Sequence, residues 1–513
     1  MRKTLFLVII LITTSCAVKI TESSVKKINP YKTKSITITS FPVNYQLYAR
    51  NAKNKASVEV SGNTNSSLDS VVVKLLKNNI VIKRIVSKAQ NSFSFNIEIE
   101  ALLNNYTIEL YAKESIGKES LIRRATHITA GDVYVINGQS NAWSIDYDNK
   151  YNKQNLPNST QWVRTIGAMH VYNKRAILPQ AKNINWFLAS GKAPDIRKGA
   201  QLVGNGMVGV LGMKLGINLV ESENVPIAII NGAGGGGAIS FYQKKRHNDL
   251  NSPYGRLQFR LEKSGLKNHI KAFIWNQGEN NAGDETLTYK TQLNQLYISF
   301  KKDFTFEKFY VIQTPPGCNS VSGHQTIREA QRQFVEEHEG VSILTRHGFS
   351  FSLNKLNKNY FLSDGCHYHA HGYEMLANWI SNLARYDFYG KNQSYEAPKI
   401  ISVQLKSSTA LVIEFDKQVL IQSDIEVDKV LYSVKEHSFS INGNKKIAIT
   451  SLKLQPGNKK IELTFLSQKI KVGDKLTYIL GDNYPFSSTP FIGPWIVDAY
   501  TGVGAVGFTK EIK

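Results

Sequence analysis

The fold of this chain is most tightly constrained by a change of pattern near Gly131. From Ser35 to about Ile128 the sequence is strand-like throughout. Ser35–Thr39, Ala56–Val60, Ser70–Leu75, Ile80–Val86, Ser92–Ile99 and Tyr106–Tyr111 are β-branched or alternating runs. Asn78-Asn79 and Asn104-Asn105 mark turns, because Asn tolerates a left-handed backbone. Short strands with no helix between them predict a β-sandwich over 35–128. After Gly131 apolar strands alternate with helical patterns. The strands are Val133–Ile136, Ile227–Ile230, Ala272–Trp275, Phe309–Ile312 and Val341–Leu344. Between and after them come Met207–Glu221, a helix face of Tyr289, Leu293, Leu296, Tyr297 and Phe300, then Thr326–His338 and a face of Tyr373, Leu376, Ile380 and Leu383. This alternation predicts an α/β domain over 129–392, a parallel sheet covered on both sides. A polar, proline-containing stretch at about Gly390–Pro398 separates it from returning strands: Ile400–Leu405, Ala410–Phe415, Phe439–Ile441, Lys446–Leu454, Lys460–Phe465 and Lys475–Leu480. With the hairpin signal Asn442-Gly443, these predict a second β-sandwich over 398–510.

At 513 residues the chain has room for about three such units. Its first residues read as a leader: Arg2 and Lys3, the apolar run Leu5–Ile12, then Thr13-Thr14-Ser15-Cys16. The Ser-Cys ending resembles a bacterial lipoprotein signal, which implies lipidation at Cys16 and export to the outer membrane or periplasm. Residues 17–34 then read as a tether, and the lipid would be the only contact with a membrane. No other segment reaches the roughly 18 apolar residues of a membrane helix. After processing, Cys318 and Cys366 remain, and either a disulfide or two buried thiols fits them. The net charge of +23 is spread over scattered lysine pairs rather than one block, so nucleic acid is not the expected partner. A solvated basic surface that attracts acidic glycans fits the distribution better. Oligomeric state is left open.

Three segments carry chemistry. Gly138-Gln139-Ser140-Asn141 follows a strand, Trp275-Asn276-Gln277-Gly278-Glu279 follows another, and Asp364-Gly365-Cys366-His367 precedes a helix. Ligands of open α/β sheets bind at the carboxyl ends of the strands, where these segments fall. A serine hydroxyl is a poor nucleophile until a base takes its proton. His367 is the candidate base for Ser140, and Asp364 is placed to fix the imidazole tautomer from behind. Acyl transfer also needs donors for the oxyanion. The candidates are the backbone amides of Ser140 and of Gly235 or Gly236, and the side-chain amide of Gln277. Gln139, Asn141 and Glu279, inside the segments, are candidate substrate contacts. So are the neighbouring Trp143 and Tyr242, although such aromatics are more often core or rim.

The stretch Ala130–Ala142 resembles the first block of the sialate O-acetylesterase branch of the SGNH hydrolases. Ile227–Tyr242 resembles its second block, with Gly237 in place of a usual threonine. Trp275-Asn276-Gln277-Gly278-Glu279-Asn280 resembles its Trp-x-Gln-Gly-Glu block. Asp364–His367 with Gly372-Tyr373 resembles the last, with Tyr368 where proline is common. The resemblance spans about 127–390. It implies a flavodoxin-like sheet, a Ser140/Asp364/His367 mechanism without metal or other cofactor, and an acetylated glycan as substrate. It also implies Gln277 as the oxyanion side chain, with Asn280 in reserve. Acetylated xylan or peptidoglycan, or glycan binding without catalysis, are the alternatives. The alternation His367, His369, His371 invites a metal, but Asp364 is the one clear acid beside it. Gly232–Gly237 lacks the Lys-Ser/Thr of a phosphate loop, which argues against a nucleotide. The long segment from Asp146 to Lys198 is expected to shape the pocket.

Overall fold

The computed structural model describes residues 36–513 except 66–67, 115–116, 153–155, 170–181, 194–204, 317, 319–323, 348–365, 428–429, 445–446, 468 and 480–492. The leader, Cys16 and the tether lie outside the described residues, as does Asp364. Among the described residues no helix is long and apolar enough to cross a membrane.

Among the described residues a mixed α/β architecture is built on one large sheet of eleven strands. Its main path uses β1 (Ser120–Gly138), β2 (Val163–Ile166), β3 (Trp186–Leu188), β4 (Ile227–Asn231), β5 (Ile270–Asn276), β6 (Phe306–Gln313) and β7 (Val341–Thr345) in the order β3-β2-β4-β1-β5-β6-β7. From β2 to β7 neighbours are parallel; β3 runs antiparallel along the edge. The order reverses direction around β1, because the chain passes to β4 on one side and then to β5 on the other. That reversal opens a crevice beyond the carboxyl ends of β1 and β5. The central strands are largely apolar on both faces and, Lys271 apart, buried, as a sheet covered by helices requires. Helix α1 (Ser140–Trp143) is a single turn after β1. The longer helices are α2 (Gly209–Glu223), α3 (Pro253–Lys263), α4 (Thr286–Asp303), α5 (His324–Glu336) and α6 (Ala370–Phe388). α2 packs on α6, and α4 on α5. The expected face of α4 is present: Tyr289, Leu293, Leu296 and Phe300 are buried, and Tyr297 packs beside them.

The segment Asp146–Lys198 contributes β2 and β3 to the sheet edge. These strands were not anticipated; at four and three residues they are too short to carry a pattern. The N-terminal strands enclose a core of their own. Ser92–Glu100 alternates strictly, with Phe93, Phe95, Ile97 and Ile99 inward and their neighbours exposed. Asn78 and Asn79 both take positive φ at the hairpin they predicted, as do Asn442 and Gly443. The expected boundary at 128–129, however, falls inside β1. Its first half pairs antiparallel with Tyr106–Lys113, its second half pairs parallel with β4 and β5, and Leu47–Ala49 runs beside the middle. One strand therefore belongs to both regions. The C-terminal strands gather a third core around residues such as Leu411, Ile461 and Leu476.

Asp132 on β1 locks this junction. Its carboxylate takes a two-pronged contact from Arg50, at 2.8 and 2.6 Å, and the hydroxyl of Tyr389 beyond α6 at 2.7 Å. Asp132 is 2% exposed, so its removal leaves a guanidinium without its partner in a largely dry place. Asp132→Ala is expected to lower the unfolding free energy by about 3–5 kcal/mol in urea titrations. A loss below about 1 kcal/mol, the level of a surface pair, contradicts this role.

Candidate active site

The turn after β1 presents Ser140. Gly138 sits at φ +133, and a Cβ there would come 2.0 Å from the Asn276 carbonyl oxygen, so only glycine brings β1 and β5 this close. Ser140 opens α1, where a backbone N–H has no intrahelical acceptor, and the Gln139 side chain does not cap it. The Ser140 hydroxyl lies 2.8 Å from Nε2 of His367, just before α6. The ring of Tyr147 lies 6.0 Å from the imidazole. The three histidines diverge: His369 meets Asp148 at 2.6 Å and His371 approaches Glu374 at 3.7 Å.

Behind the serine, side chains tie the three segments together. Asn141 donates to Glu279 at 2.8 Å and to the Cys366 carbonyl at 3.1 Å, and it accepts from the Tyr373 hydroxyl at 3.1 Å. Glu279 also receives Arg346, immediately after β7, and both side chains are sealed from water. Burial alone would raise the Glu279 carboxyl. The Arg346 charge and the Asn141 amide outweigh it and hold the group below its ordinary value. Gln139 receives the backbone N–H of Gly278 at 3.3 Å and of Asn280 at 3.2 Å.

The glycine loop after β4 closes the other side. The Gly234 N–H donates to the Gly138 carbonyl at 2.9 Å, and the Tyr242 hydroxyl donates to the Gly234 carbonyl. Gly236 is exposed at φ +68 with open space around it. At Gly237 a Cβ would come 2.5 Å from the Phe241 ring and 2.8 Å from the Tyr242 hydroxyl, which explains glycine where the resembling family has threonine.

Several expected roles are corrected. Gln139, Asn141, Trp143, Tyr242 and Glu279 are all buried, so they brace the site rather than contact substrate. Tyr242 stands edge-on to Trp275, with ring centroids 5.4 Å apart, inside the core. Gln277 is completely buried as well. Its amide nitrogen donates to Asn281 at 2.7 Å, with the Gly237 carbonyl and Gln139 also in range at 3.2 Å, and its oxygen accepts from Tyr289 at 2.8 Å. Its two N–H bonds are spent below the surface. Asn280 instead is exposed, with one N–H on the Gly236 carbonyl at 2.9 Å. Two features were missed. Arg346 follows a strand with no motif around it, and only its place at a carboxyl edge was a signal. Asp148 accepts the Ala370 N–H at 2.7 Å as well as contacting His369. Cys318 and Cys366 are joined as a disulfide, which settles the choice the sequence left open.

A serine–imidazole contact at the carboxyl ends of a parallel sheet, with amides gathered beside it, belongs to a hydrolytic class: this is a carboxylic ester hydrolase on a mixed α/β fold. Residues 130–381 match the family described as carbohydrate esterase, sialic acid-specific acetylesterase, so this part of the chain is a domain of that family. The fold is similar to that of XAC1771, a carbohydrate acetylesterase from Xanthomonas citri, with a TM-score of 0.56 at 16% identity over 93% of this chain and 99% of that one. NanS aligns at a TM-score of 0.36 and 11% identity, over 51% of this chain and 98% of its own. A protein from Arabidopsis thaliana aligns at 0.35 and 16%, over 50% and 99%. No curated protein matches the chain.

The buried His324 makes the site acid-sensitive. Its Nε2 lies 3.0 Å from the Glu279 carbonyl. Burial pushes its pKa down to about 4 from an ordinary 6.5, and the nearby Arg328 and Arg346 charges act the same way against its Glu279 contacts. The unfolded chain therefore binds the extra proton first. Stability from this group is complete above pH 6.5 and is lost as pH falls toward 4. His324→Asn is expected to flatten that slope by up to about 3 kcal/mol between pH 7 and 4 in denaturant titrations. An unchanged slope counts against it.

Proposed function

We propose that this chain removes O-acetyl groups from carbohydrates, with sialic acids the first substrate to test, through a Ser140–His367–Asp364 acyl-enzyme mechanism. The observation that supports it most is the 2.8 Å contact from the Ser140 hydroxyl to His367 Nε2. Ser140 Oγ attacks the acetyl carbonyl as Nε2 takes its proton. The tetrahedral oxyanion forms beside the Ser140 N–H at the start of α1 and the loop of Gly235 and Gly236. The side-chain donor passes from Gln277, whose hydrogens are engaged, to the exposed amide of Asn280. Collapse breaks the ester C–O bond, and the imidazolium returns its proton to the sugar oxygen. Water, deprotonated by His367, then releases acetate. Asp364 is assigned to Nδ1 of His367, where a carboxylate fixes the tautomer and balances the imidazolium.

On this reading the sheet is a flavodoxin-like SGNH core flanked by two β-sandwiches. The leader exports the protein, and a lipid on Cys16 holds it to a bacterial membrane. Cys16→Ser is expected to move the protein from the membrane fraction to the soluble one; unchanged partitioning rejects the anchor.

Acetate release from O-acetylated sialic acid, acetylated xylan, acetylated peptidoglycan and 4-nitrophenyl acetate tests the function. Ser140→Ala and His367→Ala are each expected to lower kcat at least about 10³-fold. Equal turnover by wild type and Ser140→Ala rejects the assignment. Asn280→Ala is expected to lower kcat about 10²–10³-fold, as loss of one oxyanion donor does. A change confined to KM would place Asn280 on the substrate rather than the oxyanion.

A further inference from the structure

We propose that the Cys318–Cys366 disulfide positions the His367 imidazole, so that acyl transfer runs at full rate only with the bond closed. The proposal rests on the reading of Ser140 and His367 above, and it gives a role to a bond that touches neither substrate nor reacting atoms. Cys366 directly precedes His367, and its partner Cys318 lies between the end of β6 and the start of α5. The two are 48 residues apart in the chain.

Three of the contacts on the segment Cys366–Ala370 bear on its position. Asn141 donates to the Cys366 carbonyl at 3.1 Å. Asp148 takes His369 at 2.6 Å and the Ala370 N–H at 2.7 Å. The disulfide is the third. The first two come from the chain that follows β1, the same segment that carries Ser140. They, and the Arg346 guanidinium 5.7 Å from the centre of the Tyr368 ring, are non-covalent and can yield as the chain around them moves. The disulfide reaches from beyond β6, two positions along the sheet from β1, and fixes the segment from the other side. A hydrogen bond can be exchanged for water; a covalent bond cannot. Without it, a displacement of about 1 Å at His367 is enough to cost on the order of 10²-fold in rate.

Opening the bond is a two-electron exchange. A thiolate of an added dithiol attacks one sulfur and forms a mixed disulfide. Its second thiolate displaces the protein sulfur, leaving a cyclic disulfide and two protein thiols. Oxidised glutathione reverses the step. The device suits an oxidising compartment, where such bonds persist.

The test compares four states of the full chain on 4-nitrophenyl acetate: oxidised wild type, wild type reduced with dithiothreitol, Cys318→Ser, and Cys318→Ser/Cys366→Ser. Cys318→Ser leaves the residue beside His367 unchanged, so it separates loss of the bond from loss of the neighbouring sulfur. The expected result is a kcat lower by about 10–100-fold in the last three states, with KM within about twofold. Oxidised glutathione should restore reduced wild type but neither variant. Thermal melts and tryptophan fluorescence report the folded fraction. The proposal is overturned if kcat per folded molecule equals that of oxidised wild type, or if the loss falls on KM. It is also overturned if reduction unfolds the protein at the assay temperature, because the bond would then hold the fold rather than the base. Equal rates from oxidised wild type and Ser140→Ala would overturn the underlying reading, a result distinct from a Ser140-dependent enzyme indifferent to reduction.

Discussion

Glu279 is a carboxylate sealed inside the protein, and the geometry of the site depends on how that charge is met. An isolated buried carboxylate is too costly to keep ionised. Arg346 meets it from the end of β7 and Asn141 from the turn after β1. Asn141 has one further N–H, which goes to the Cys366 carbonyl beside His367. One amide therefore joins the segment of the hydroxyl, the segment of the buried acid and the segment of the imidazole. The charge makes the arrangement specific. Moving the Ser140 segment takes an amide donor from a charge that water cannot reach, and moving the His367 segment leaves the Cys366 carbonyl without that donor. The 2.8 Å approach of Ser140 to His367 is backed by these buried residues.

The sequence shows the fold where pattern and burial coincide. The alternation of Ser92–Glu100 and the α4 face from Tyr289 to Phe300 are such places, because one side of each faces a core. It fails where a local pattern changes but the structure does not. The change of style near Gly131 reads as a domain boundary, yet β1 runs through it, since a strand can exchange one set of neighbours for another without bending out of the sheet.

At the site, the sequence identifies which segments meet, but not which way each side chain points. Gln277 and Asn280 are three residues apart and chemically alike, yet one is sealed and the other exposed. The turn between them contains Gly278 at φ +151, where a Cβ would come 2.1 Å from the Thr314 hydroxyl. That turn sends Gln277 toward Tyr289 and Asn280 toward the glycine loop. Nothing in the spacing of a motif encodes the sign of such a turn. The same reason explains Asn141 and Trp143: they follow Ser140 in sequence and lie beneath it because Ser140 opens a helical turn.

The C-terminal strands belong to the same argument. Gln313, the last residue of β6, exchanges two hydrogen bonds with the backbone of Gly507, at 2.9 and 2.8 Å. Thr345, the last residue of β7, donates to the Gly504 carbonyl at 2.8 Å. The Gly504 N–H donates to the His347 carbonyl at 3.0 Å, and the buried His347 ring stacks on Trp495 with centroids 4.9 Å apart. These contacts fall on the carboxyl edge of the sheet, on both sides of Arg346. Burial, with the Arg328 and Arg346 charges, drives the His347 pKa far below its ordinary value. It stays neutral there and adds no cation to the one that must pair with Glu279. The C-terminal region thus buttresses the residue that neutralises the buried acid. A module appended only to bind glycans would have no physical reason to hold the strand ends beneath the ester site.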